Sequence, residues 1–261
     1  MEKNKNGILV KTSKELEKMA EGGVKLGKIK KKLEDAIDIG VNAEEIEKLA
    51  DELIAKEGGK PSFKMVDRYH WATCINVNEG VVHGIPKKDI VFAKGDIVSV
   101  DIGMYYRGFH TDSSFSVGVN VTNKLKDFLK VGKKALESGI SEARLGNRIY
   151  DISKAIESVL RKGKTLPIRA LVGHGIGRSL HEQPQIPCFA SGIKGDSPKI
   201  PIGATFAIEV MYTKGSGNIE LGGDGWTIRT SDGKIAGLFE ETIAVTRNGP
   251  IILTRDFNKA N

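Results

Sequence analysis

Carboxylates set inside apolar, alternating segments constrain this chain most. Asp101 stands in VSVDIG, Asp112 in FHTDSS, Glu209 in TFAIEVM and Glu240 in LFEET. A carboxylate in such a strand is costly to bury unless it is paired, hydrogen-bonded or bound to metal. A fold that accepts these strands must bring the acids together or turn each one to solvent. His174, in GHGIG, adds one imidazole to the set. Carboxylates plus one imidazole suit two hard or borderline divalent cations that share ligands. Such a pair can activate one water between them. If the five side chains converge, the chain is a hydrolase.

The period of the apolar residues divides the rest. Residues 13–37 read as a helix, capped by Ser13, with Glu15 in its first turn and Leu16, Met19, Val24 and Leu26 on its apolar side. A second helix over 43–57 has Asn42 as N-cap, Glu45 three positions on, and Gly58 closing it. Its stripe is Ile46, Leu49, Ala50 and Leu53. From Cys74 to Val119 the period falls to two. Val98, Val100 and Ile102 share one face; Ser99, Asp101 and Gly103 share the other. A turn at Tyr106-Arg107-Gly108 leads into a strand through Asp112 to Val117. Helices are expected near 121–138 and 146–162, and the tail from 203 to 254 is strand-like, broken by GSG, GGDG, DGK and NG turns. Helices and strands alternate in two loosely similar halves. That predicts one α+β domain over 1–261 with a pseudo-two-fold plan.

A length of 261 residues, 39% of them hydrophobic, supports a sizeable core. The net charge of +7 reads as a solvated basic surface. Part of it is the run KLGKIKKKLED at 25–35, an exposed helix face that could touch an acidic partner such as ribosomal RNA. Cys74 and Cys188 make no disulfide framework, and no CxxC spacing offers structural zinc, so a reducing compartment is expected. The N-terminus lacks an apolar signal core and nowhere are there eighteen consecutive apolar residues. A soluble, cytoplasmic protein is the expectation.

Local geometry leaves some choices open. If the first hairpin pairs residues whose numbers sum to 213, Asp101 faces Asp112 directly, with Cβ atoms about 4.5–5.5 Å apart. A bulge at Gly108 would shift that register. The glycines around His174 let the backbone bend closely. His181, in SLHEQP, could donate a hydrogen bond to a developing oxyanion. Phe206, Ile208 and Val210 alternate onto one face and Glu209 falls on the other. Glu240 and Glu241 point to opposite faces, so one can be a ligand while the other is solvated. Periodicity does not select between them. His83 ends NEGVVHGIP, ahead of a tight turn at Gly84 and Pro86.

Taken in order, VNEGVVHGIP, GDIVSVDIGMYYRGFHTDSSFSVG, GHGIGRSLHEQPQIP, FAIEV, DGWTIRT and FEETIAVT resemble the methionine aminopeptidases. The resemblance runs from ILVKTSKELEKMAEGG to VTRNGPIIL, nearly the whole chain. It implies the pita-bread fold, with pseudo-two-fold antiparallel β-sheets flanked by helices. It implies removal of the initiator methionine from nascent polypeptides by metal-activated water, preferentially before a small second residue. Asp101, Asp112, His174, Glu209 and Glu240 match the ligands of a two-metal centre, for which cobalt, manganese, iron(II) or zinc would serve. The F-E-x-T motif selects Glu240 over Glu241. Glu209 would be the general base, His181 would meet the oxyanion, and His83 would contact the scissile amide nitrogen. Phe63, Val66, Tyr69, Leu180 and Trp226 match walls of the methionine pocket. The resemblance further implies a monomer acting on nascent N-termini, in transient contact with the ribosome and without a membrane partner.

Only 35 positions separate His174 from Glu209, so the long type II insertion is missing, as is a zinc-finger extension. Type I fits best. The chain departs from the pattern at 61–74, PSFKMVDRYHWATC, where many type I enzymes carry a glycine- and proline-containing stretch. Val210 and Glu241 also replace a common proline and histidine. Two other readings stand beside this one. Prolidase and aminopeptidase P share the fold and ligands, but usually carry an N-terminal domain for which the residues before Phe63 leave little room. A metal-free relative that binds nucleic acid or ribosomes would fit the charge, but all five ligand types are retained.

Overall fold

A computed structural model describes residues 7–255. Among these residues, four helices carry the outer layer: α1 (Ser13–Ala36), α2 (Ala43–Lys56), α3 (Asn123–Glu142) and α4 (Ile149–Lys162). Helix α1 is capped by Thr12 and not by Ser13, which is already helical. The Thr12 hydroxyl accepts from the Glu15 N–H, and the Glu15 carboxylate accepts from the Thr12 N–H at 2.8 Å. That reciprocal box needs its acid three residues after the cap, and only Thr12 satisfies the spacing. Helix α2 starts as its sequence predicts, with Asn42 Oδ1 accepting from the Glu45 N–H at 3.1 Å. It ends ahead of Gly58, whose φ is +77°. No helix among the described residues is long and apolar enough to cross a membrane.

Between the first two helix pairs lie β1 (Lys60–Pro61), β2 (Thr73–Val77), β3 (Gly80–Val82), β4 (Ile97–Tyr106) and β5 (Phe109–Gly118). After α4 come β6 (Leu166–Pro167), β7 (Val172–Gly175), β8 (Glu182–Pro187) and β9 (Thr205–Thr213). The chain closes with β10 (Ile219–Leu221), β11 (Ile228–Thr230), β12 (Ala236–Thr246) and β13 (Gly249–Ile252). The main sheet runs β4-β5-β12-β9-β7-β8, with β1 and β2 on β4, β6 on β9 and β13 on β12. All its pairs are antiparallel. Strands β10, β11 and β3 form a small second sheet.

The plan is two-fold in its packing. Leu26, Leu33, Ile46 and Ile54 of α1 and α2 close a core over Val98, Val100 and Ile102 of β4. Phe128, Leu136, Ile152 and Leu160 of α3 and α4 close another over Phe206, Ile208 and Val210 of β9. Period-two strands give each helix layer one apolar sheet face. The opposite face is thereby left free for polar groups.

The β4–β5 register differs from the direct-opposition expectation. Tyr106 pairs with Phe109, so Arg107 and Gly108 alone make the turn, with φ of 50° and 93°. Both values are positive, as a two-residue type I′ hairpin requires. Opposed residue numbers therefore sum to 215: Asp101 faces Ser114, and Asp112 faces Gly103. The two aspartates share a face as diagonal neighbours.

Glu241 is likewise not solvated. It is buried on the helix side of the sheet, where Lys30 meets it at 2.8 Å and Arg255 at 3.1 Å. The Ser113 and Thr254 hydroxyls also donate to its Oε2. It ties α1 to β5, β12 and the end of the chain. Lys30 is part-buried and Arg255 is 41% exposed, so water recovers some of what they lose, and Glu241→Ala should lower unfolding free energy by about 1–3 kcal/mol. Urea melts of the two proteins measure this, and a change under about 1 kcal/mol would deny the cluster its structural role.

Candidate metal centre

Cross-strand registry assembles the acids. Asp101 on β4 faces Ser114 on β5, Ser114 faces Glu240 on β12, and Glu240 faces Glu209 on β9. Directly opposed residues lie on the same face of a sheet, so this row shares one side. Asp112 stands two residues before Ser114 on β5, and His174 on β7 faces Ala207, two residues before Glu209. A shift of two keeps the face. The five sequence-predicted ligands thus come from five adjacent strands and point to the side away from the helices. Glu209 sits on an interior strand, not an exposed edge.

One ligand atom each of Asp112, His174 and Glu240 falls within 4.8 Å of the others. His174 Nε2 lies 3.7 Å from Glu209 Oε1. His174 Nδ1 lies 2.9 Å from the Gly175 carbonyl, which only accepts. The Nδ1 proton is held there and the Nε2 lone pair faces the acids. The glycine at 175 is required by space: a Cβ there would stand 2.2 Å from the Gln183 carbonyl oxygen. The bend that the GHGIG motif predicts is a close strand approach.

Burial pushes the pKa of Asp112 up to about 7. Burial also raises Asp101, Glu209 and Glu240 well above the usual carboxylate range, and their mutual repulsion adds to it. Asp101 Oδ1 and Glu240 Oε1 are buried and have no hydrogen-bond partner among the described residues. Like-charged carboxylates in a dry site are compatible at neutral pH when cations lie among them. His174 is driven down to about 4, mainly by burial and then by His181, so its ring is neutral and free to ligate. Unpartnered oxygens, crowded acids and a neutral imidazole fit divalent metal.

The other predicted residues lie around this row. His83 and His181 are exposed residues whose rings are partly desolvated. His181 packs edge-on to His174 with centroids 4.5 Å apart. Local desolvation lowers both pKa values, His83 being lowered further by His181. His83 has φ of 60°, sparsely allowed for a side-chain-bearing residue. The next residue is pinned: the Gly84 N–H donates to Asn76 Oδ1 at 3.1 Å, and the Ile75 N–H donates to the Gly84 carbonyl at 2.9 Å.

Phe63, Tyr69 and Leu180 are buried in one apolar cluster beside the row, and Trp226 packs on it. Tyr69 meets Phe63 and Trp226 edge-on, with centroids 6.4 Å and 5.1 Å away. Val66 does not join them: it is exposed and outside the cluster. The short 3-10 turn at Phe63–Met65 directs Phe63 inward and leaves Val66 beyond it.

Sequence reasoning missed four groups here. Cys74 and Trp71 belong to the apolar cluster. Ser114, in the ligand row, has a buried Oγ without a partner among the described residues. Glu47, on an otherwise apolar helix face, is buried and accepts from the Ala72 and Thr73 N–H groups at 2.6 and 2.9 Å. It anchors the segment carrying Tyr69. The alternation of β5 carried a signal for Ser114; nothing local carried one for Glu47.

The family model for Metallopeptidase family M24 matches residues 17–247. A methionine aminopeptidase of Clostridium perfringens is 37% identical over 248 residues, spanning 95% of this chain and 98% of its own. Methionine aminopeptidase 1 of Bacillus subtilis is 39% identical over 249 residues, spanning 95% and 99%. The crystal structure of a Thermotoga maritima methionine aminopeptidase superposes with a TM-score of 0.92 at 38% identity, covering 95% of this chain and 99% of that one. A Pyrococcus furiosus prolidase shares the fold at a TM-score of 0.71 and 19% identity, with 65% of its chain covered.

Proposed function

The chain belongs to metallopeptidase family M24, and we propose that it is a type I methionine aminopeptidase that removes the initiator methionine from nascent polypeptides. It is a metal-dependent hydrolase of the pita-bread fold. The observation that carries the reading is the row of Asp101, Asp112, Glu240, Glu209 and His174 on five adjacent strands, next to an apolar cluster of side chains.

In this reading those five side chains hold two divalent cations. When bound, the metal supplies a water of lowered pKa and a Lewis acid for the scissile carbonyl. Cobalt, manganese, iron(II) and zinc all suit the donor set, and cellular supply selects among them. Glu209 takes the proton from water on a carboxylate oxygen and passes it toward the leaving amine. His181, neutral because desolvation lowers its pKa, donates a ring N–H to the developing oxyanion. His83, near enough to His181 for its charge to be felt, would meet the scissile amide nitrogen. Phe63, Tyr69, Leu180 and Trp226 enclose the thioether, a soft apolar group that packs well on aromatic edges. A bulky second residue would crowd the acids, so small ones are preferred. Acting on nascent chains implies a cytoplasmic enzyme, a monomer in passing contact with the ribosome, and a catalytic unit spanning 1–261.

Metal-loaded protein should release methionine from Met-Ala- and Met-Gly-headed peptides, and far less from a Met-Leu-headed one. Cleavage of Xaa-Pro peptides without release from Met-Ala would transfer the chain to the proline-specific branch.

A further inference from the structure

We propose that Lys11 is a positioning residue for this reaction: its buried ion pair with Glu182 holds the loop that presents His181. The proposal rests on the reading of His181 above.

Lys11 Nζ lies 2.5 Å from Glu182 Oε2, with the two side chains only 1% and 3% exposed. Burying two charges is strongly unfavourable unless geometry is good and remaining lone pairs are satisfied. Here the second Glu182 oxygen accepts from the Ser179 N–H at 3.3 Å. One carboxylate therefore spans the turn from Ser179 to Glu182, with Leu180 and His181 between. Gly177 completes the fit: a Cβ there would stand 2.4 Å from Lys11 Cε and 2.8 Å from Glu182 Oε1. Its carbonyl accepts from the His110 N–H at 2.7 Å, tying the loop to β5.

Lys11 is itself fixed. Its N–H donates to the Gly203 carbonyl at 2.8 Å, and Val10 bridges to Ala204. A parallel tie lies outside it, where Arg178 meets Glu15 at 2.8 Å and stacks over Phe109. Glu15 is the acid of the α1 capping box. The segment entering α1 thus grips both ends of the loop.

His181 depends on that grip. Among the described residues, no group hydrogen-bonds to its ring, which packs in a T-shaped pair with that of His174. Its direction is set by backbone, and across residues 179–182 the Glu182 carboxylate holds that backbone beside the ties at Gly177 and Arg178. A misplacement of about 1 Å at a reacting group can reduce turnover about a hundredfold.

The test is a double-mutant cycle on the metal-loaded full chain with a Met-Ala-headed peptide. Lys11→Met should lower kcat by about tenfold to a hundredfold. In a His181→Ala background the same change should lower kcat by less than about twofold, because the effect passes through His181. Equal losses in both backgrounds, or an unchanged kcat, would overturn the proposal. Lys11→Met leaves Glu182 buried and unpaired, so the cycle is repeated with Lys11→Met/Glu182→Leu, which removes both charges. Hydrogen exchange reads the clamp without turnover. Amides 179–182 should exchange faster in the charge-free pair variant while β9 keeps its protection, and unchanged exchange counts against the clamp even if the unaltered chain releases no methionine.

Discussion

Glutamine at position 209 should leave a folded protein that has lost turnover on a Met-Ala-headed peptide by about a hundredfold to ten-thousandfold, the usual worth of a positioned general base. The substitution keeps the size and planarity of the side chain, so the β9–β12 pairing opposite Glu240 has no steric reason to change. It removes the basic oxygen that takes the proton. Glutamine has no such oxygen at any pH. His174→Ala gives the contrast: it removes a neutral nitrogen donor and no proton acceptor of the reaction, so its activity should fall only as far as its bound metal does, whereas Glu209→Gln should lose turnover beyond any loss of metal. Measuring kcat beside metal content separates the two cases. A Glu209→Gln protein that turns over at the unaltered rate would remove Glu209 from the proton path.

Stripping the metal should make stability fall as pH rises, the reverse of ordinary acid denaturation. Asp101, Asp112, Glu209 and Glu240 all have pKa values raised in the folded chain, chiefly by burial, Asp112 to about 7. Unfolded, carboxylates titrate near about 4. The folded state therefore binds protons that the unfolded state releases between these values. The contribution is fully present below about 4 and is lost as pH rises through about 7 and above. Metal reverses the sense, since it binds the ionised acids and competes with protons. Added manganese or cobalt should raise Tm more at pH 8 than at pH 5. Melting curves of chelator-treated protein across that range, with and without metal, check both signs. His83, His110, His174 and His181, whose pKa values burial lowers, work the other way up to their unfolded value of about 6.5, so a metal-free Tm that climbs from pH 7 to pH 8 is the result that would contradict the crowding of these acids.

Much of the fold was legible because it rests on local physics. The period change at Cys74, the Asn42 cap and the alternation of Phe206, Ile208 and Val210 appear in the structure where the residue pattern puts them. The cap of α1 moved by one residue because a capping box counts back from its acid, and two hydroxyls stand side by side there. The β4–β5 register moved because two positive-φ residues close the turn at Arg107 and Gly108. For Glu241, alternation gives a face but not what covers that face; α1 covers it with Lys30. Val66 and Phe63 share one short segment, and only the turn between them separates wall from surface.

By itself, the sequence determined which side chains could ligate a metal, since donor type and strand parity are local properties. It also determined the order of the helices and strands. Registry alone decided that Asp101, Ser114, Glu240 and Glu209 form one row, because pairing between strands far apart in sequence depends on turn geometry and on packing of both sheet faces. The tertiary structure also decided that Lys11 reaches Glu182 across 171 positions, which no local pattern encodes.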